Sequence, residues 1–257
     1  MRLDNLMRYA WLLRTFRNGP ELIAAYRAGR PAAEAVTWGG TRIVHPAGRV
    51  GLVGTLLEVW RERCYTGDFY APADGDVVVD AGAHVGLFSI LAARANPRCR
   101  VVALEPFSEN HECLAANLGA AGATNVTPLR MALGKAGFGR MEAVGARSID
   151  HMLEPGADPT SGDPVPIVPL DQLFDLAGAG RIAMLKCDVE GSEQDAFGDA
   201  SPDSIRRIDR IAVEYHDNLR PGTLALLLER LGPTHDMDVR PEPGQFHGLL
   251  YAVRRRL

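Results

Sequence analysis

Cysteine is scarce, with four residues at positions 64, 99, 113 and 187, irregularly spaced and in no CxxC pair. That spacing excludes a disulfide framework and a zinc knuckle, whose thiols recur at short fixed intervals, and a reducing, cytoplasmic setting is expected. A surplus of one charge is also missing. The 28 Lys and Arg residues against 32 Asp and Glu leave a formal net charge of −4, with both signs interspersed. No global field therefore draws the chain to nucleic acid or to an anionic membrane. Long apolar runs are absent too. The stretch MRLDNLMRYAWLLRTFRNG breaks its apolar residues with Arg8 and Arg14, so neither a signal peptide nor an integral membrane segment is expected there. No internal repeat is visible.

What is present is a chain of 257 residues, 46% hydrophobic and 23% charged, enough for one large globular domain with a modest appendage. Leu3, Leu6, Met7, Ala10, Leu13 and Phe16 recur at helical spacing, which predicts an amphipathic helix over residues 2–17, ended by Gly19 and Pro20. A second helix is predicted over 21–28, a short hairpin within 36–50, and a further helix over about 53–63. Residues 1–70 form the appendage, which caps the domain 71–257 or supplies a homodimer contact.

From residue 76 the pattern is regular. The apolar strands VVVDAG, RVVALEP, NVTPLRMAL, IAMLKCD and RIAVEYH alternate with helical stretches, which predicts a parallel sheet covered on both faces. The segment GADPTSGDPVPIVP reads as an excursion over one edge of the site, GTLALLLERLG as a helix stopped by Gly232, and 236–240 and 248–254 as two final strands.

The first strand runs into Asp80, Gly82, His84 and Gly86, spaced D-x-G-x-x-x-G. Glycines let the backbone turn tightly beside a ligand, but a dinucleotide fingerprint requires G-x-G-x-x-G; a carboxylate in the first position suits a cationic group and repels a pyrophosphate. The second strand ends in Glu105, where such folds accept hydrogen bonds from ribose hydroxyls, followed by Pro106 and Phe107. A cationic, ribose-bearing, amino-acid-bearing ligand fits S-adenosyl-L-methionine, with Met131 and Ala132 at the end of the third strand placed against its base. The stretch LKCDVEGSE then breaks an apolar strand into Asp188 and Glu190, with Lys186 on the same side as Asp188; the next strand ends in Glu214 and His216. These groups converge on one crevice. His216, with an ordinary pKa of about 6.5, is a sensible general base, and Asp188 or Glu214 can orient it. Asp188, Glu190, Glu214 and His216 are of the types that hold a hard divalent ion, but no spaced ligand motif requires a metal, so none is expected.

VVVDAGAHVGLFS, VVALEPFSENHECLAANL, VPLDQL and LKCDVEGSE followed by VEYH resemble, in this order, the FkbM family of S-adenosylmethionine-dependent methyltransferases, over roughly residues 65–252. The resemblance implies a Rossmann-like class I fold, with a seven-stranded, mostly parallel sheet whose last strand is antiparallel, and an N-terminal helical cap. It implies O-methylation of a sugar or polyketide-type hydroxyl, with Asp188, Glu190, Glu214 and His216 catalytic and Asp188 also facing the cofactor. Lys186 and Tyr65 are expected to meet the acceptor, and the N-terminal helices, the segment near Tyr65 and the loop 145–167 to select it. The family often carries asparagine where this chain has His84. Methylation of a small-molecule nitrogen and a non-catalytic cofactor-binding module are the alternatives; absence of an Asn/Asp-Pro-Pro-aromatic motif after the fourth strand disfavours the former.

Overall fold

A computed structural model describes residues 3–143, 145–148, 151–158, 160 and 163–255. Seven strands make the central sheet: β1 (Val77–Ala81), β2 (Arg100–Leu104), β3 (Val126–Leu129), β4 (Met184–Cys187), β5 (Arg210–His216), β6 (His235–Pro241) and β7 (His247–Arg254). Their order across the sheet is β6-β7-β5-β4-β1-β2-β3. β1 to β5 run parallel, and β7 alone points the opposite way in the sheet, pairing antiparallel with β5 and β6. The expected fold class is present.

Sequence explains this arrangement. β1 and β4 are buried at every residue, as strands sandwiched between two layers must be. Pro128 lies in β3, an outermost strand, where a missing N–H removes no ladder bond on the open side. Alternation then divides the core: Val78, Met184 and Ala212 pack on one face with Leu12, Phe16, Leu22 and Ile43 of the N-terminal segment. Val77, Val79, Leu185 and Val213 pack on the other with Phe174, Phe197 and Leu227. Asp80, Lys186 and Glu214 share the parity of the first set, so they stand on the face that the N-terminal segment covers.

That segment consists of α1 (Leu3–Thr15), α2 (Gly19–Ala28), a hairpin of Glu34–Val36 with Arg42–Val44, and a helical turn Leu52–Thr55 that widens into a π-helical turn, Leu56–Arg61. Of the longer helices, α3 (Leu87–Ala95) and α4 (Ser108–Ala121) pack on the first face, α5 (Glu193–Gly198) and α6 (Thr223–Leu231) on the second. No described helix is long and apolar enough to cross a membrane.

A second sheet was not foreseen. Ala132–Leu133, Val165–Val168, Gly137–Ala143 and His151–Pro155 form four strands in that order; Ala132–Leu133 lies at the end of the expected third strand, and only Val165–Val168 falls in the expected excursion, 156–169. Residues 149, 150, 159, 161 and 162 of the expected selecting loop lie outside the described residues.

Candidate active site

The glycine turn is held by three neighbours. Gly82 and Ala83 both donate backbone N–H bonds of 2.9 Å to Leu104 O at the end of β2. Gly82 has φ 75°, and a Cβ there would lie 1.7 Å from Asp188 O, so only glycine lets the β1 and β4 ends approach this closely. Two residues on, His84 also takes a left-handed conformation, φ 51°. Its N–H donates to Glu105 Oε2 at 2.7 Å, and its Nε2 meets Ser148 Oγ at 2.7 Å.

Glu105 is buried and also accepts from Phe107 N at 3.0 Å and from Asn110 Nδ2 at 3.4 Å. Burial pushes its carboxyl up to about 7, against the opposing pull of the Phe107, His84 and Asn110 donors. Glu105, Pro106, Met131, Ala132, Gly82, His84 and Asp188, all expected to face the cofactor, line one cleft. Asn110 joins them, its buried Oδ1 lacking a hydrogen-bond partner among the described residues. Three expected residues stand elsewhere. Asp80 is fully buried below the turn, accepting from Ser89 Oγ at 2.6 Å; Gly86 packs against Leu114 of α4; and the Phe107 ring lies under the Arg49 guanidinium. The strand's alternation turns Asp80 inward, so it supports the turn from beneath rather than facing a ligand.

Lys186 is the cross-strand partner of Asp80. Its Nζ donates to Gly82 O at 2.5 Å and stands 3.4 Å from Asp80 Oδ1 and 3.7 Å from Asp188 Oδ2. Burial alone would lower its pKa, but Asp80 and Asp188 outweigh it and hold the ammonium above its ordinary range. Expected to touch the acceptor, Lys186 has its charge committed to the turn, with Tyr65's ring 5.2 Å from its Nζ.

The strand ends β4 and β5 bring the other expected groups together. Tyr65 Oη reaches Asp188 Oδ2 at 3.1 Å and Glu214 Oε2 at 2.9 Å, so one phenol proton serves two carboxylates. His216 is buried; its Nδ1 lies 2.8 Å from Glu193 Oε1, and its Nε2 is 3.4 Å from Glu190 Oε2 and 3.9 Å from Glu214 Oε1. Burial opposes protonation of His216, but the Glu193 hydrogen bond and the surrounding carboxylates raise its pKa to about 10. Burial and then the neighbouring Asp188 charge push Glu190 up to about 8 and Glu214 up to about 7. Glu190 also holds a left-handed backbone, φ 47°, the kind of local cost that persists at functional sites.

Sequence reasoning missed Glu193, the last residue of LKCDVEGSE. An acid in the first turn of α5 reads as ordinary complement to the helix dipole, yet it is fully buried and turned to His216. Ser148 and Asn110 were missed as well. Ser148 arrives through pairing of Val50 with Arg147, and nothing in the local sequence signals that bridge.

Gly82, His84, Asp188 and Glu190 line both the cofactor-side cleft and a second cavity of about 720 Å³, within the usual size range of small-molecule sites. The second cavity is walled by Tyr65, Glu214 and His247, with Arg8 and Tyr26 from the N-terminal helices and Arg240 from β6. Two ligand spaces thus meet at the β1 and β4 ends, the switch region of an open parallel sheet.

Residues 80–234 match the Methyltransferase FkbM domain. The 31-O-demethyl-FK506 methyltransferase FkbM of Streptomyces tacrolimicus is 26% identical over 189 residues, covering 62% of this chain and 73% of that protein. The AMB antimetabolite synthetase AmbE of Pseudomonas aeruginosa is 26% identical over 205 residues, 65% of this chain, but the match spans only 10% of that protein. Among solved structures, a candidate rRNA methylase of Clostridium thermocellum superposes with a TM-score of 0.50 at 11% identity, covering 77% of this chain and 95% of that one, a likeness of fold alone.

Proposed function

The chain belongs to the FkbM-domain methyltransferases, and on that premise we propose that it methylates a hydroxyl oxygen of a sugar or polyketide-type small molecule, using S-adenosyl-L-methionine. The observation that carries this is the junction of two spaces at Gly82, His84, Asp188 and Glu190, one suited to the cofactor and one walled by carboxylates.

The residues of the first cleft fit the cofactor. Asn110 Oδ1 and the Glu105 carboxylate offer acceptors for ribose hydroxyls, Met131 and Ala132 offer an apolar wall for the base, and Gly82 borders the cleft with no side chain of its own. When bound, S-adenosylmethionine supplies a methyl group on a sulfonium, already activated for in-line displacement. Asp188, at the junction, presents negative charge to that region.

What remains for the protein is to place the acceptor and take its proton. Both ring nitrogens of His216 already face carboxylates, Glu193 and Glu190, so the imidazole is a poor base. Glu214, with its side chain 28% exposed and lining the larger cavity, is the proton acceptor, and the Tyr65 hydroxyl steers its second oxygen. His216 and His247 flank its other oxygen, each at 3.9 Å.

The cofactor reading has a pH signature. An ionised Glu105 accepts two ribose hydroxyls better than the neutral acid, and its pKa in the free protein is raised to about 7. S-adenosylmethionine affinity, measured by calorimetry, is therefore expected to be flat above pH 8 and to weaken about tenfold by pH 6, where roughly a tenth of the carboxyl remains ionised. Glu105→Gln is expected to bind more weakly with a flat profile. A pH-independent affinity in the unaltered protein contradicts the assignment.

A further inference from the structure

We propose that Asp188 and Glu190, which line the acceptor cavity, hold a divalent cation together with the buried His216 beside it, with Glu193 fixing the imidazole. The inference rests on the methyltransferase reading and extends it to a metal site, which the sequence did not lead us to expect.

One atom from each of the three residues lies within 4.8 Å of the other two. Donors bound to an ion at about 2.0–2.4 Å stand roughly 3–4.5 Å apart, so small side-chain rotations close the set. The arrangement behind it is independent of that proximity. His216 Nδ1 is engaged by the fully buried Glu193, whose same oxygen accepts from Gly191 N at 3.1 Å. This carboxylate-to-imidazole contact orients metal-bound histidines and fixes which nitrogen is left for the ion. The nitrogen left, Nε2, faces the Glu190 and Glu214 carboxylates and makes no hydrogen bond among the described residues, on a side chain only 6% exposed.

Charge agrees. Asp188, Glu190, Glu193 and Glu214 bring four formal negative charges to this corner, while the nearby Lys186 is matched by Asp80 below it. Two carboxylates and one imidazole suit a hard or borderline ion of the Mg²⁺ and Mn²⁺ kind. Three protein donors leave coordination positions open on the cavity side, which selects an acceptor with two neighbouring oxygens, such as a sugar vicinal diol. Coordination lowers the hydroxyl's pKa. Its proton passes to Glu214, its oxygen bonds to the methyl carbon, and the electron pair of the broken C–S bond stays on sulfur; the ion changes no oxidation state.

The test is a titration of the EDTA-treated, desalted full chain with Mn²⁺ alone, followed by the electron paramagnetic resonance of free Mn²⁺. Saturable binding of one ion per chain is expected. Glu190→Gln and His216→Gln should each weaken it at least tenfold and Glu193→Gln about ten- to a hundredfold, while Glu229→Gln, exposed on α6, should bind as the parent does. Should His216→Gln fail to fold by circular dichroism, Glu190→Gln, on the half-exposed turn, decides. Absence of saturable binding, or unchanged binding in Glu190→Gln, overturns the proposal. The same EDTA-treated protein is titrated with S-adenosylmethionine: a chain that binds the cofactor but fails to bind Mn²⁺ sinks the metal site alone, and one that binds neither sinks the methyltransferase reading with it.

Discussion

Glu214→Gln is expected to lower kcat by about 10² to 10⁴, the usual contribution of a positioned general base, while leaving S-adenosylmethionine affinity within about twofold. The substitution is nearly isosteric, and the amide oxygen can still accept from Tyr65, so the strand end keeps its shape. What disappears is a carboxylate of the cavity wall with one oxygen held by Tyr65 at 2.9 Å and the other only flanked by His216 and His247, each at 3.9 Å. Single-turnover kinetics with pre-bound cofactor separates this loss from any change in binding. A variant that turns over at the parent rate moves the base to another group, Glu190 first. Loss of cofactor binding instead would mean that Glu214 serves the fold of the cleft.

Asp80→Ala is expected to destabilise the protein by about 3–5 kcal/mol, because it leaves a buried ammonium without its closest countercharge. Lys186 and Asp80 face each other on β4 and β1, their side chains 5% and 0% exposed. Asp188 stands farther from the ammonium, at 3.7 Å, and is itself a quarter exposed. Ser89 Oγ loses its acceptor as well. For a chain of this size such a loss lowers Tm by about 6–20 °C. Replacing both partners, Asp80→Ala with Lys186→Met, removes the uncompensated charge and should recover at least half of the lost stability. Cofactor affinity should stay low in the double variant, since the Lys186 bond to Gly82 O is gone and the turn is no longer held from below. Thermal melts and calorimetry on the three proteins check this; a double variant no more stable than Asp80→Ala contradicts the pairing.

The strands and the carboxylates at their ends were legible in the sequence for one physical reason. A strand buried on both faces must be an apolar run, so an acid at its end marks where the chain leaves the core. Glu105 and Asp188 follow that rule, each one residue past its strand, while Glu214 and His216 lie in the last three residues of β5. Asp80 obeys it in sequence but not in space: β1 runs on to Ala81, so Asp80 is still inside the ladder and points at Lys186. The four-stranded sheet between β3 and β4 was not legible, because its strands are short and interrupted by Gly137, Gly139 and Pro166. Ser148 and His45 illustrate a further limit. They are 103 positions apart, yet His45 Nε2 lies 2.7 Å from Ser148 Oγ at the cofactor-side cleft, a meeting set by tertiary packing and by no local pattern.

The central claim, methyl transfer to oxygen, is tested most directly by supplying S-adenosylmethionine carrying a ¹³C-labelled methyl group to the purified chain with a panel of glycosides and hydroxylated polyketide lactones, then locating the label by carbon–proton correlation spectroscopy. The account predicts label on an oxygen of an acceptor with two neighbouring hydroxyls, and its loss in Glu214→Gln. Label on nitrogen, or a protein that binds the cofactor and transfers to none of the hydroxyl acceptors, contradicts it.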